Sequence, residues 1–152
     1  MTPTRDLCEY IQREAEALGI PLKVEVSPPA TLRQAMATGK ADFFRGSWIA
    51  DYPDAENYLS LFYSPNAAPN GPNYTQFEDS LYDRWYRQAQ SLQVQQQRYR
   101  YYRKMDSLMM AEAPVVPLYY DQVLRFYSHQ VLGLEGNALN LLDLRRVQKQ
   151  RD

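Results

Sequence analysis

Residues 46–66 read GSWIADYPDAENYLSLFYSPN, and the placement of this stretch decides how the rest of the chain is read. It follows Ala41-Asp42-Phe43-Phe44, which has the makeup of a strand. It then gathers Trp48, Tyr52, Tyr58, Phe62 and Tyr63 around Asp51, Asp54 and Glu56, interrupted by Pro53 and Pro65. An irregular, acidic and aromatic segment directly after a strand is where α/β proteins place ligand sites. Aromatic rings around one carboxylate favour a cationic or amine-bearing ligand. A second reading is structural: Trp48 packed beneath a short helix, residues 55–62, with Asp54 as its cap. The residues alone leave both readings open.

Working upstream, Leu7, Ile11, Ala15 and Leu18 fall at helical spacing, and Gly19 is a natural stop, which predicts a helix over 5–18. Ile20, Leu22, Val24 and Val26 then alternate with polar residues, the pattern of a half-buried strand. Residues 28–40 open on two prolines suited to a first helical turn and close on Gly39. Strand, short helix and a second strand at 41–48 form a crossover that favours parallel pairing.

Downstream, residues 64–75 are a loop rich in Pro, Asn and Gly. Asp79 is placed to cap a helix whose buried stripe reads Leu81, Trp85, Ala89 and Leu92. Residues 93–114 give a second helix, with Tyr101, Met105, Leu108 and Met109 inward and Pro114 as its end. Residues 115–128 predict one or two strands with a turn near Asp121. From His129 the pattern weakens, and residues 148–152 read as a frayed tail.

Composition narrows the function. A net charge of −1 argues against phosphate neutralisation and so against a nucleic-acid partner. The cation–aromatic run RYRYYRK, 98–104, reads better as a helix with Tyr101 and Tyr102 turned inward than as a base-stacking platform. One histidine, His129, and one cysteine, Cys8, with no nucleophile placed beside a base, do not make an enzyme. Asp51, Asp54, Glu56 and Asn57 could offer oxygens to calcium, but their spacing is not that of an EF-hand. No glycine-rich phosphate loop or zinc spacing is present, so neither metal nor cofactor is expected. No apolar run approaches the roughly 18 residues needed to cross a bilayer, and the first twenty residues lack the regions of a signal peptide. Thirteen tyrosines, each with an apolar body and a polar tip, point to recognition surfaces as well as core.

Several ordered motifs carry a family resemblance. Gly46-x-Trp48-x-Ala50-Asp51-Tyr52-Pro53-Asp54 followed by Asn57-Tyr58-Leu59 resembles the GW-x-ADYPDP-x-NFL block of the family 5 solute-binding proteins, the extracytoplasmic receptors of peptide and nickel ABC importers. Asn73-Tyr74-Thr75, then Tyr82-Asp83-x-Trp85 and Ala89, resembles that family's NY…FD-x-L…A. Arg98, Tyr102 and the run Glu112-Ala113-Pro114-Val115-Val116-Pro117-Leu118-Tyr119-Tyr120 resembles R…Y…EAPIIPLYY, and Val131-x-Gly133 resembles the closing V-x-G. Ala55 departs from the pattern, which has Pro there.

The resemblance implies an α/β fold, a mixed sheet flanked by helices, forming the C-terminal lobe of a periplasmic-binding-protein-like (class II) architecture. Residues 1–152 would be that single lobe, and 129–152 a tail packing on an N-terminal lobe absent from this chain. It further implies peptide binding without catalysis, ABC permease subunits as partners and a location in the periplasm or otherwise outside the cytoplasmic membrane. Asp51 would pair with the α-amino group of a peptide, with Trp48 and Tyr52 lining the cleft. Nickel or metal-chelate binding is the alternative within the family. A protein-interaction module is the alternative outside it. A single lobe is expected to bind peptide weakly or not at all on its own, and to self-associate through its uncovered aromatic face and the tail after His129.

Overall fold

The helical spacing of residues 5–18 and 28–40 becomes α1 (Pro3–Ala17) and α2 (Pro29–Ala37) in a computed structural model that describes residues 3–120, 122–137 and 141–150. Gly19 turns the chain out of α1 at φ 78, a conformation that only glycine takes without strain. Pro29 starts α2, where its missing N–H would have had no partner in any case. The chain divides into two compact units, residues 1–41 and 42–152.

In the first unit the alternation read at 20–27 survives in burial only at its centre, since Ile20 and Val26 are exposed. Leu22 and Val24 are half-buried, whereas Lys23 and Glu25 are exposed. The predicted strand is nonetheless not formed. Residues 20–27 are extended without a ladder partner among the described residues, and Gln12 Nε2 donates to the Leu22 carbonyl at 2.6 Å instead. The segment at 41–48 is likewise unpaired, so the mixed sheet and its parallel crossover are absent among the described residues. Alternation selects which side chains share a face; only a neighbouring strand turns that into a sheet.

The second unit is built on α4 (Ser80–Gln90) and α5 (Gln95–Glu112), which pack against each other. Asp79 caps α4 as its sequence position predicts, its carboxylate accepting from the Tyr82 N–H at 2.7 Å. Such a cap contributes about 1 kcal/mol. Ala89 is buried as the sequence reading expects, but the first two positions of the α4 stripe are shifted by one residue. Tyr82, Tyr86 and Ala89 are buried, whereas Leu81, Trp85 and Leu92 are only partly so. On α5 the buried residues are Tyr102, Met105 and Met109. Phe62, Phe77 and Tyr82 meet edge to face with ring centres 5.6–6.5 Å apart, and Tyr63 stacks on Tyr86 at 4.3 Å. Burying a side chain such as Met105 contributes on the order of 2 kcal/mol relative to leaving it in water.

The chain enters this core through α3 (Glu56–Leu59), which tightens into 3-10 turns at Ser60–Phe62 and Ser64–Asn66. The loop that follows closes on Asn73, fully buried, whose N–H donates to the Asn66 carbonyl at 2.9 Å and whose amide donates to the Phe77 carbonyl at 2.9 Å. Residues 115–120, predicted as strand, are extended and unpaired; the turn expected near Asp121 falls outside the described residues. The tail is more ordered than its sequence suggests. β1 (Val131–Leu132) pairs antiparallel with β2 (Gln148–Lys149) in the register Val131 to Lys149. Gly133 lets the two runs close, since a Cβ there would sit 2.4 Å from the Arg146 carbonyl oxygen. No described helix is long and apolar enough to cross a membrane.

Helix α5 ends on Ala113 at φ 50, a left-handed position where a Cβ is strained. Ala113→Gly is therefore expected to stabilise the second unit by about 0.5–1 kcal/mol, relief of strain outweighing glycine's extra entropy. Urea unfolding should show a raised midpoint at unchanged slope; an unchanged or lowered midpoint would mean that the turn is not left-handed.

Candidate functional site

The first turn of α3 is polar yet buried, with Glu56 only 8% and Asn57 only 4% exposed. Buried polar groups require partners, and those partners assemble the segment at 46–58. Asp54 opens the turn, its carboxylate accepting from the Glu56 N–H at 2.9 Å. The other Asp54 oxygen lies 2.6 Å from Arg98 Nη2, and Arg98 also donates to the Tyr102 hydroxyl. Partial burial works to raise the Asp54 carboxyl. The Glu56 N–H, the Tyr102 hydroxyl and the Arg98 guanidinium outweigh it and hold that carboxyl below its ordinary value. Tyr102 is pushed up to about 12, first by burial and then by its bond to Asp54.

Glu56 faces α4. It accepts from the Tyr52 and Tyr86 hydroxyls and from Gln90 Nε2 at 2.9 Å. The bond to Glu56 and then burial raise Tyr52, while burial and then Glu56 raise Tyr86. Asn57 faces the other way. Its Oδ1 accepts from the Trp48 indole N–H at 2.7 Å and from the Asp51 backbone N–H at 3.3 Å. Both groups are obligate donors, so the carboxamide oxygen must be the atom that meets them.

The three residues singled out from the sequence thus lie on one loop. Trp48 is half-buried, and Asp51 and Tyr52 are exposed. The Asp51 carboxylate has no hydrogen bond or ion pair among the described residues. The capped-turn reading is realised in Asp54 and Trp48, and Asp51 takes no part in it. Glu56 and Asn57, which organise the loop, were legible as possible oxygen donors to calcium, and Asn57 as a member of the motif, but not as the acceptors that hold the loop together. The remaining candidates do not converge here. His129 is exposed, Cys8 is half-buried, and among the described residues no three His, Cys, Asp or Glu side chains gather to hold a metal ion. In the run 98–104, Tyr102 is buried and Tyr101 half-buried as expected for a helix, while Lys104 Nζ lies 5.6 Å from the Trp85 ring centre and 5.4 Å from that of Tyr101. Two open hollows, one beside α2 and one at Trp85, Arg103 and Lys104, lie away from Asp51.

This architecture is that of a periplasmic-binding-protein-like fold. The open, unliganded form of MppA, a periplasmic murein tripeptide binding protein, superposes with a TM-score of 0.68 at 22% identity, covering 75% of this chain and 22% of that one. The sequence places the chain beside a particular family: residues 1–70 match the model described as bacterial extracellular solute-binding proteins, family 5 middle. The dipeptide-binding protein DppE of Bacillus subtilis is 23% identical over 146 residues, 95% of this chain and 26% of that protein. The periplasmic murein peptide-binding protein MppA of Escherichia coli is 28% identical over 102 residues, 67% of this chain and 18% of that protein. The probable D,D-dipeptide-binding periplasmic protein DdpA of Escherichia coli is 25% identical over 128 residues, 84% of this chain and 25% of that protein. The motif resemblance to the family 5 solute-binding proteins thus has a counterpart in the family model over residues 1–70 and in these relatives, and the chain spans a quarter or less of two of them, DdpA and MppA, and 26% of DppE.

Tyr82, Tyr86 and Tyr102 are all raised above the ordinary tyrosine value of 10.0, mainly by burial. Their contribution to stability is complete below about pH 10 and is lost as pH rises through the folded values, because the unfolded chain gives up its protons first. Alkaline titration should therefore show two phases of tyrosinate absorbance, the second coinciding with loss of helical circular dichroism. Titration of all thirteen tyrosines in one phase with the helices intact would contradict the burial described.

Proposed function

We propose that this chain is the C-terminal lobe of a peptide receptor serving an ABC importer outside the cytoplasmic membrane, and that it binds without chemistry. One observation carries the reading: the Asp51 carboxylate is exposed and, among the described residues, unpaired, on the loop that also carries the half-buried Trp48 and Tyr52 and whose backbone Asn57 ties down. A fixed carboxylate beside aromatic rings suits a peptide's α-ammonium group, whose lost hydration it offsets. The relatives support this ligand class, since each of the three is named for binding a dipeptide or a murein peptide. Residues 1–152 form one wall of the site, with 129–152 packing on an N-terminal lobe that forms the other.

Asp51→Asn keeps the shape and removes the charge. In an enclosed two-lobed cleft, breaking the pair costs roughly 3–5 kcal/mol, so affinity should fall on the order of a hundredfold or more. On the 152-residue chain the site is open to water, and the pair is worth about 0.5–1 kcal/mol, a few-fold in affinity. Titrating a free-amine tripeptide and its N-acetylated form into wild type and Asp51→Asn, by calorimetry or amide shifts, separates the outcomes. The free peptide should weaken in the mutant, and the acetylated one should bind wild type poorly and change little further. Equal weakening of both would make Asp51 structural.

A second reading rests on the run from Val116 to Tyr127, where Val116, Leu118, Tyr119, Leu124, Phe126 and Tyr127 are all exposed. Apolar side chains exposed together along an extended segment recruit partners. The 152-residue chain is expected to self-associate, with scattering mass rising with concentration; a constant monomer mass at high concentration would refute this.

A further inference from the structure

The ligand loop is held by hydrogen bonds to its two sides of one helical turn, and the two sides do different work. Glu56 binds the turn to α4 through Tyr86 and Gln90, and reaches the loop only at the tip of Tyr52. Asn57 binds no element of the core through its side-chain oxygen. Both donors it accepts come from the loop itself, one from the Trp48 ring and one from the Asp51 backbone. That single oxygen is shared by the two residues that the peptide reading requires to act together.

We propose that Asn57 is the positioning residue of this site: its carboxamide oxygen holds the Trp48 indole and the Asp51 backbone in one frame and thereby sets where the Asp51 carboxylate stands relative to the ring. The inference rests on the peptide-binding reading for its consequence, but the frame itself is a property of this chain. Trp48 reaches Asn57 across nine residues and Asp51 across six, so the loop between them is cross-braced at one atom. With that oxygen removed, the indole N–H and the Asp51 N–H are left to water, and the loop keeps only its attachments at Tyr52 and Asp54. An amine ligand then meets a carboxylate spread over many positions and must order it on binding. What matters is an acceptor at this place, not the volume of the side chain.

Three variants separate acceptor from volume. Asn57→Asp keeps an oxygen for both donors, Asn57→Leu keeps the bulk without an acceptor, and Asn57→Ala removes both. In the nitrogen-15-labelled 152-residue chain, the Trp48 indole and Asp51 amide resonances should move in Asn57→Leu and Asn57→Ala and stay close to wild type in Asn57→Asp. The Trp85 indole serves as an internal control and should not move in any of them. Binding of free-amine trialanine, read from the same spectra, should weaken about twofold in the Leu and Ala variants, within the few-fold loss expected for Asp51→Asn, and be no weaker than wild type in Asn57→Asp. Recovery of the resonances and of binding in Asn57→Leu would show that Asn57 only fills space and overturn the proposal, as would unmoved resonances in Asn57→Ala. If the resonances follow the expected pattern but trialanine binds neither wild type nor any variant, one wall of the site is insufficient for binding while the positioning role of Asn57 stands.

Discussion

A carboxylate withdrawn from water needs its lone pairs filled, and the Glu56 side chain is filled by two tyrosine hydroxyls and an amide, none of them a cation. Tyr86 and Gln90 stand four residues apart on α4 and so present their polar tips on one face. Docking Glu56 between them sets the angle at which α3 meets α4. From that angle Leu59, less than a turn further on, offers its carbonyl to the Tyr82 hydroxyl at 2.8 Å, and Tyr63 comes to lie on the Tyr86 ring. Loss of one donor would leave part of a buried acid unsatisfied, at a cost of about 1–3 kcal/mol. The core of the second unit is aromatic for the same reason that it is polar at this point: tyrosines bring both the apolar surface and the donors.

Much of this was written in the sequence. Four helices announce themselves by spacing and by their ends, and Asp79 can be named as a cap before any coordinates are known. The shift of the α4 stripe from Leu81 and Trp85 to Tyr82 and Tyr86 has a physical cause. Apolarity favours Leu and Trp for the interior, but the tyrosine hydroxyls find acceptors in Leu59 and Glu56, so burying them carries little penalty. The strands at 20–27 and 41–48 failed for a different reason. Alternation is a property of one segment, whereas a ladder is a property of two, and neither segment joins a ladder among the described residues.

The candidate site was legible in a similar, partial way. Trp48, Asp51 and Tyr52 stand out as rings and charge after a strand-like run, and the motif gives them an order. The roles of Glu56 and Asn57 in holding the loop do not stand out, because a hydrogen bond between a side chain and a residue six or nine positions away leaves no periodic trace. The geometry assigns the capped-turn features to residues other than Asp51. Asp54, Glu56 and Asn57 satisfy the backbone and the buried chemistry, which leaves the Asp51 carboxylate without a structural task.

The arrangement of α4 and α5 bears on the order in which the chain folds. They are joined by only four residues, 91–94, and their mutual contacts lie close in sequence. Local contacts form fast because little loop entropy is lost before they are made. The helical hairpin is thus the natural nucleus, and the loop carrying Trp48 and Asp51 is a late arrival, attached by side-chain hydrogen bonds. An element that joins last by a few polar links can also leave first. The segment at 46–53 is therefore free to detach and re-dock as a local opening while α3 and the hairpin beneath it stay folded, so its breathing has its own clock, separate from the melting of the core.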